Sequence, residues 1–168
     1  ITKKIHEYRL ISLLILILKY QKSKLKKDQK RIYDFYVKNI NFINNWDLVD
    51  LSAPHIIGNY LLDRSRRSLY NLAKSPDLWH RRISIISTFT FIKKQDFTDT
   101  LKIAQILLND EHDLIHKATG WMLREVGKRD ISTLYRFLDK FCTKMPRTML
   151  RYSLEKLPKD KKKYYMTL

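Results

Sequence analysis

The sequence predicts an all-α protein, built as an α-solenoid of antiparallel helix pairs. Three observations carry that expectation: few helix breakers, apolar residues at helical spacing, and short breaks between the periodic segments. Only three Gly and four Pro occur in 168 residues, about a third of the usual combined ~12%. Gly58, Gly120 and Gly127 never form GxG, which excludes a P-loop and a dinucleotide-binding turn. There is no Asn-Gly or Asp-Gly pair, so the tight turns of a β-sandwich or barrel lack their usual residues.

The elements follow in order. Residues 4–20 carry Ile5, Tyr8, Ile11, Leu14, Ile15 and Leu18 at a 3.6-residue spacing, which predicts a buried amphipathic helix. The apolar run 10–18 is half the ~18 residues needed to span a bilayer. His6, Glu7 and Arg9 precede it and no small-residue cleavage site follows, so no membrane span or signal peptide is expected. Residues 28–43 place Ile32, Phe35, Tyr36 and Ile40 on one face. Asn45 is placed to cap a helix over 46–62, with Pro54 dividing or kinking it. A short basic helix covers 65–74. Ser75-Pro76 then reads as a cap and first-turn proline opening 76–92.

Helices over 97–108 and 111–126 come next, the second capped by Asp110 and ending near Gly127. Those over 130–141 and 146–157 finish the series. Short connections make such helices antiparallel neighbours. Two successive hairpins, 76–108 and 111–141, share a rhythm that fits HEAT-like pairs, with a compact helical bundle as the alternative. A solenoid curves, and a basic concave face would receive an extended partner. Residues 1–168 read as one domain, with 158–168 a basic tail.

Charge narrows the function. The 34 Lys+Arg against 17 Asp+Glu leave a net charge of +17, which calls for a polyanionic partner. At 44% hydrophobic residues the chain is no disordered polycation. Cys142 alone allows no internal disulfide and suits a reducing compartment. The runs 22–31 and 159–163 read as a solvated loop and tail. Arg124/Lys128 and Arg147/Arg151 are like-charged pairs four apart, unfavourable for a helix but useful against phosphates.

Three tryptophans, Trp46, Trp79 and Trp121, stand among these cations, and Trp at helical spacing is commonly core. Trp46 and Asp50 are four apart and share a helix face, an aromatic wall beside an anion. Arg82 falls on the apolar stripe of Leu78, Ile85, Ile86 and Phe89, where a guanidinium needs a carboxylate or phosphate partner. Arg81, beside that stripe, is read as facing solvent and contacting the polyanion. Trp121 stands three residues before Arg124, an aromatic next to a phosphate-capable cation. His112 and His116 have the spacing of a zinc helix, but HDLIH lacks the glutamate of HExxH. No metal and no cofactor are expected.

The stretches NNWDLVDLSAPHIIG, LWHRRISIIST, DLIHKATGWMLREVGK and MPRTMLRYSLEKL together resemble the AlkD-type DNA alkylation-repair glycosylases, from about His6 to Leu157. The resemblance implies a HEAT-like solenoid that excises cationic N3- and N7-alkylated purines from duplex DNA, without metal and without a base-flipping pocket. It implies lesion-site roles for Trp46 and Trp121, a catalytic role for Asp50, a cleft role for Arg82 and backbone contact by Arg124. Relative to the family pattern, an amino-terminal helical repeat is expected to be missing. The resemblance also implies a monomer on chromosomal DNA in a bacterial cytoplasm. Two other readings stand beside it: a non-catalytic HEAT-like DNA-binding paralogue, and a scaffold for an acidic protein.

Overall fold

The computed structural model describes residues 1–168 as eleven α-helices and no strand. They are α1 (His6–Lys22), α2 (Lys26–Lys38), α3 (Trp46–Ala53), α4 (Arg67–Ala73), α5 (Leu78–Ser87), α6 (Phe89–Lys93), α7 (Thr98–Ile106), α8 (Asp113–Gly127), α9 (Ile131–Phe141), α10 (Arg147–Leu154) and α11 (Lys159–Thr167). α1, α3, α5, α8 and α10 pack side by side in succession, the repeating row of an α-solenoid. A second layer backs the row, with α2 on α1, α4 on α5, α7 and α9 on α8, and α11 on α10. No helix is long and apolar enough to cross a membrane.

Close approach within the row depends on glycine. A Cβ on Gly120 would stand 2.5 Å from the Met149 carbonyl oxygen and 2.6 Å from Tyr152 Cβ, so the missing side chain lets α10 lie against α8. Gly127, expected to terminate α8, is its last residue but has no positive φ. A Cβ there would meet Leu134 Cδ2 at 2.4 Å, so this glycine makes room for α9.

Several expected starts and stops are corrected. The helix expected from Pro76 begins at Leu78, and its cap is Asp77, whose carboxylate accepts the amides of Trp79 (2.7 Å) and His80 (3.1 Å). Ser75 lies outside and accepts the Asp77 amide. The same segment breaks at Thr88, whose hydroxyl donates to the Ile85 carbonyl. α8 is capped by His112, whose Nδ1 accepts the Leu114 amide, and not by Asp110. At Pro54 the chain widens into a π-helical turn, Pro54–Gly58, because a prolyl nitrogen has no hydrogen to donate. Residues 158–168, expected as a tail, are mostly α11, docked through buried Tyr165, whose hydroxyl donates to Asp139 at 2.7 Å.

The largest correction concerns α1. The stripe of Ile5, Tyr8, Ile11, Leu14, Ile15 and Leu18 is exposed, whereas Leu13, Ile17 and Tyr20 are buried. α1 packs on α2, α3 and the π-helical turn 54–58, and these leave its Ile5–Leu18 stripe uncovered. Phe35, expected on the core face of α2, is likewise exposed, and Tyr36 turns inward to meet the Ser52 hydroxyl at 2.8 Å.

Candidate active site and phosphate-facing surface

Asn45 starts α3 by accepting the Trp46 amide on its side chain, which sets Trp46 at the first helical position and Asp50 one turn later. Trp46 is 54% exposed, far from a core tryptophan. Asp47, in the same first turn, accepts from Leu48 N and lies 2.7 Å from His6 Nε2, tying the start of α1 to α3.

Asp50 meets Arg82 in a two-pronged ion pair. Arg82 Nε donates to Oδ1 at 2.9 Å and Nη2 to Oδ2 at 2.7 Å, while Nη1 donates to the Leu114 carbonyl at the start of α8. One guanidinium thus joins α3, α5 and α8, the three central helices of the row. Arg82 is 5% exposed, as its place on the apolar stripe implied, and Asp50 retains an open edge. Burial pushes the Asp50 carboxyl above its usual range, and the hydrogen bonds and charge of Arg82 offset this only in part. The result is a carboxylate held rigidly at the surface of a row of helices, oriented by a cation behind it.

Trp121 lies on α8. Its aromatic partner is Phe89 of α6, with ring centroids 6.0 Å apart and planes tilted by 42°. Lys93 Nζ stands 4.4 Å from the Phe89 ring centre. Trp121 therefore belongs to an aromatic–cation group that sequence reading did not assemble. Phe89 read as core; it opens α6 directly after the break at Thr88 and meets Trp121 there.

The expected phosphate-contacting cations differ in freedom. Arg81 is not solvent-facing: it pairs with buried Asp110 (2.6 Å) and donates to the Ser75 and Pro76 carbonyls. Arg124 is held by Glu155. Lys128 pairs with Glu125 at 2.6 Å, and Arg129 shares that carboxylate. Burial raises the Glu125 carboxyl, and the bonds from Lys128 and Arg129 outweigh it, leaving a net lowering. Arg147 donates to the Met166 carbonyl, and Arg151 is exposed with no ion pair. On α8, Lys117 continues the helical stripe of Trp121, Arg124 and Lys128, a position the sequence reading passed over.

His112 and His116 do not converge. The first caps α8, and the ring of the second contacts the Asp110 carbonyl. No group of three or more His, Cys, Asp or Glu side chains is placed to hold a metal ion.

No curated protein and no solved structure gives a significant match to the chain. A family model described as "DNA alkylation repair enzyme" matches residues 1–157. That match spans the row of helices, the Asp50–Arg82 pair and all three tryptophans, and the chain belongs to the DNA alkylation repair enzyme family.

Proposed function

We propose that the protein is a DNA glycosylase that releases positively charged N3- or N7-alkylated purines from duplex DNA. The observation that carries this reading is Asp50: a carboxylate one turn from exposed Trp46, fixed by Arg82 in a protein of net charge +17. An alkylated purine of this class already bears the positive charge that makes it a good leaving group, so no general acid is required. As the bond between C1′ and the base nitrogen breaks, its electron pair neutralises the base and positive charge appears on the sugar. Asp50 supplies a fixed negative charge there, the electrostatic role commonly worth most in catalysis. Water then adds to C1′ and its proton passes to solvent. Trp46 and Trp121 offer π faces to the cationic nucleotide, worth roughly 0.5–2 kcal/mol each.

Arg82 acts through Asp50, since it is buried and its Nε, Nη1 and Nη2 each already donate to Asp50 or the Leu114 carbonyl. Phosphate contact falls first to Arg151, which has no ion pair, and to Arg147, whose partner is a carbonyl, while Arg124 and Lys128 reach a phosphate by leaving Glu155 and Glu125; such contacts hold register without reading bases. The test is base release from N7-methylguanine-containing duplex. Asp50→Asn is expected to keep DNA binding and to slow release sharply; release at the parental rate would sink the mechanism.

The same ion pair favours one other reading. Both Asp50 oxygens are engaged by Arg82, which suits a DNA-binding member of the family that has no chemistry. Salt-sensitive duplex binding with no base release by the unmodified chain would select it.

A further inference from the structure

Residues 131–168 hold ten Lys and Arg against three Asp and Glu, whereas residues 1–130 hold 24 against 14, so the basic excess is densest here. These cations also differ from the rest in freedom. Every Lys and Arg within α5 and α8 is in an ion pair: Arg81, Arg82, Lys117 and Arg124. By contrast, Arg136, Lys140, Lys144 and the four lysines of α11 form none, and all but partly buried Lys162 are exposed. Arg136 reaches only the Ser132 and Thr133 hydroxyls. The nearby acids are engaged elsewhere. Asp139 accepts from Tyr165, Glu155 holds Arg124, Asp130 takes the Ser132 and Thr133 hydroxyls, and Asp160 sits in the first turn of α11, where it suits the helix dipole.

The free cations are held in one place. The buried Tyr165 ring lies 6.2 Å from that of Tyr135 on α9, and Lys161 Nζ stands 5.9 Å from the Tyr135 ring centre. Exposed Arg147 of α10 donates to the Met166 carbonyl at 2.9 Å, so the cationic corner of α9 and α11 is continuous with it. Lys159, Lys162 and Lys163 are three and four residues apart, a like-charge spacing that opposes the helix unless an anion neutralises it.

The chemistry of the corner selects its occupant. An apolar helix packed on it would strand unpaired ammonium groups, which is costly. Protein interfaces are depleted in Lys and draw affinity from buried aromatic and Arg anchors. Tyr165 and Met166 of α11 are turned into the core and leave no apolar stripe for a protein or a lipid surface. A phosphodiester backbone needs only free cations, whose contact releases its counterions. We propose that the corner of α9 and α11 binds the phosphodiester backbone of duplex DNA, as a second contact region continuous with Arg147. Its main element, α11, lies outside the residues 1–157 that the family model matches. The proposal rests on duplex DNA being the substrate, and it uses neither Asp50 nor Arg82.

The test is binding of an undamaged duplex about two helical turns long by the whole chain. Fluorescence anisotropy across a salt series follows it, so no base release enters the readout. Lys159→Gln, Lys161→Gln and Lys163→Gln together are expected to weaken binding roughly tenfold or more at ~0.1 M salt. The slope of log K against log salt is expected to fall by about 2–3. The corresponding triple Lys→Arg variant keeps the charge and the parent's slope. Circular dichroism checks the fold; should α11 come loose, Lys140→Gln with Lys144→Gln carries the test, with a slope change of about 1–2. The proposal is overturned if the folded Gln variants keep the parent's affinity and slope, or if polyglutamate or phosphatidylglycerol vesicles bind the chain more tightly than the duplex does. A parent chain that does not bind duplex sinks this surface and the glycosylase reading together. Duplex binding that depends on these lysines, with no base release, upholds the surface and counts only against the glycosylase reading.

Discussion

Asp50 and Arg82 show how much one side-chain pair decides. With the guanidinium buried, Arg82→Ala strands a largely buried carboxylate, and breaking such a pair costs about 3–5 kcal/mol. Urea denaturation checks this. Acid acts on Asp50 in two opposite senses. Its folded pKa is raised, mainly by burial, so the folded state takes up a proton before the unfolded one does. Ionised Asp50 is therefore a cost to folding that disappears as pH falls through the raised value. Base release needs the anion, so its acid limb is expected above the ordinary carboxylate value of ~3.9. A pH–rate profile locates that limb; a midpoint at or below ~3.9 would contradict the assignment. Asp130 behaves the other way. The Ser132 and Thr133 hydroxyls and the Thr133 amide hold its carboxyl well below the usual range. Its contribution is present above the ordinary value and fades as pH drops below it.

At the scale of elements, helix starts and close approaches set where these residues stand. Asp77 orients α5 and thereby Arg82, and Asp77→Ala is expected to cost about 1 kcal/mol of stability. Gly120→Ala acts on the α8–α10 contact, where the new methyl collides with the Met149 carbonyl. Backbone must move, at about 1–3 kcal/mol. A lowered denaturation midpoint with an unchanged denaturant slope would show it. The helices themselves were legible: every long periodic segment of the sequence is helical. Their ends were less so, because Ser75, Asp77, Asp110 and His112 are all competent caps and packing chooses among them. The stripe of α1 misled for a related reason. Periodicity marks an apolar face but not whether another helix covers it.

For the whole molecule, the net charge of +17 favours a polyanion, and the pairings decide which cations are available to it. Arg81 is committed to Asp110, whereas Arg151 is exposed and unpaired. Arg151→Ala is expected to weaken duplex binding similarly for every sequence and to lower the salt slope by about one. Arg81→Ala is expected to lose stability through Asp110 and to leave that slope unchanged. Binding measured across a salt series separates the two.

The sequence by itself determined the helices and singled out Trp46, Asp50, Arg82 and Trp121, because periodicity, capping chemistry and a cation on an apolar stripe are local properties. That Arg82 is buried followed from its register alone. That its partner is Asp50, 32 residues earlier, and the Leu114 carbonyl, 32 residues later, was decided by the tertiary structure. So were the union of Trp121 with Phe89, the withdrawal of Arg81 from solvent and the bare apolar face of α1. Each depends on which helix lies beside which, and that follows from packing across the row rather than from spacing along the chain.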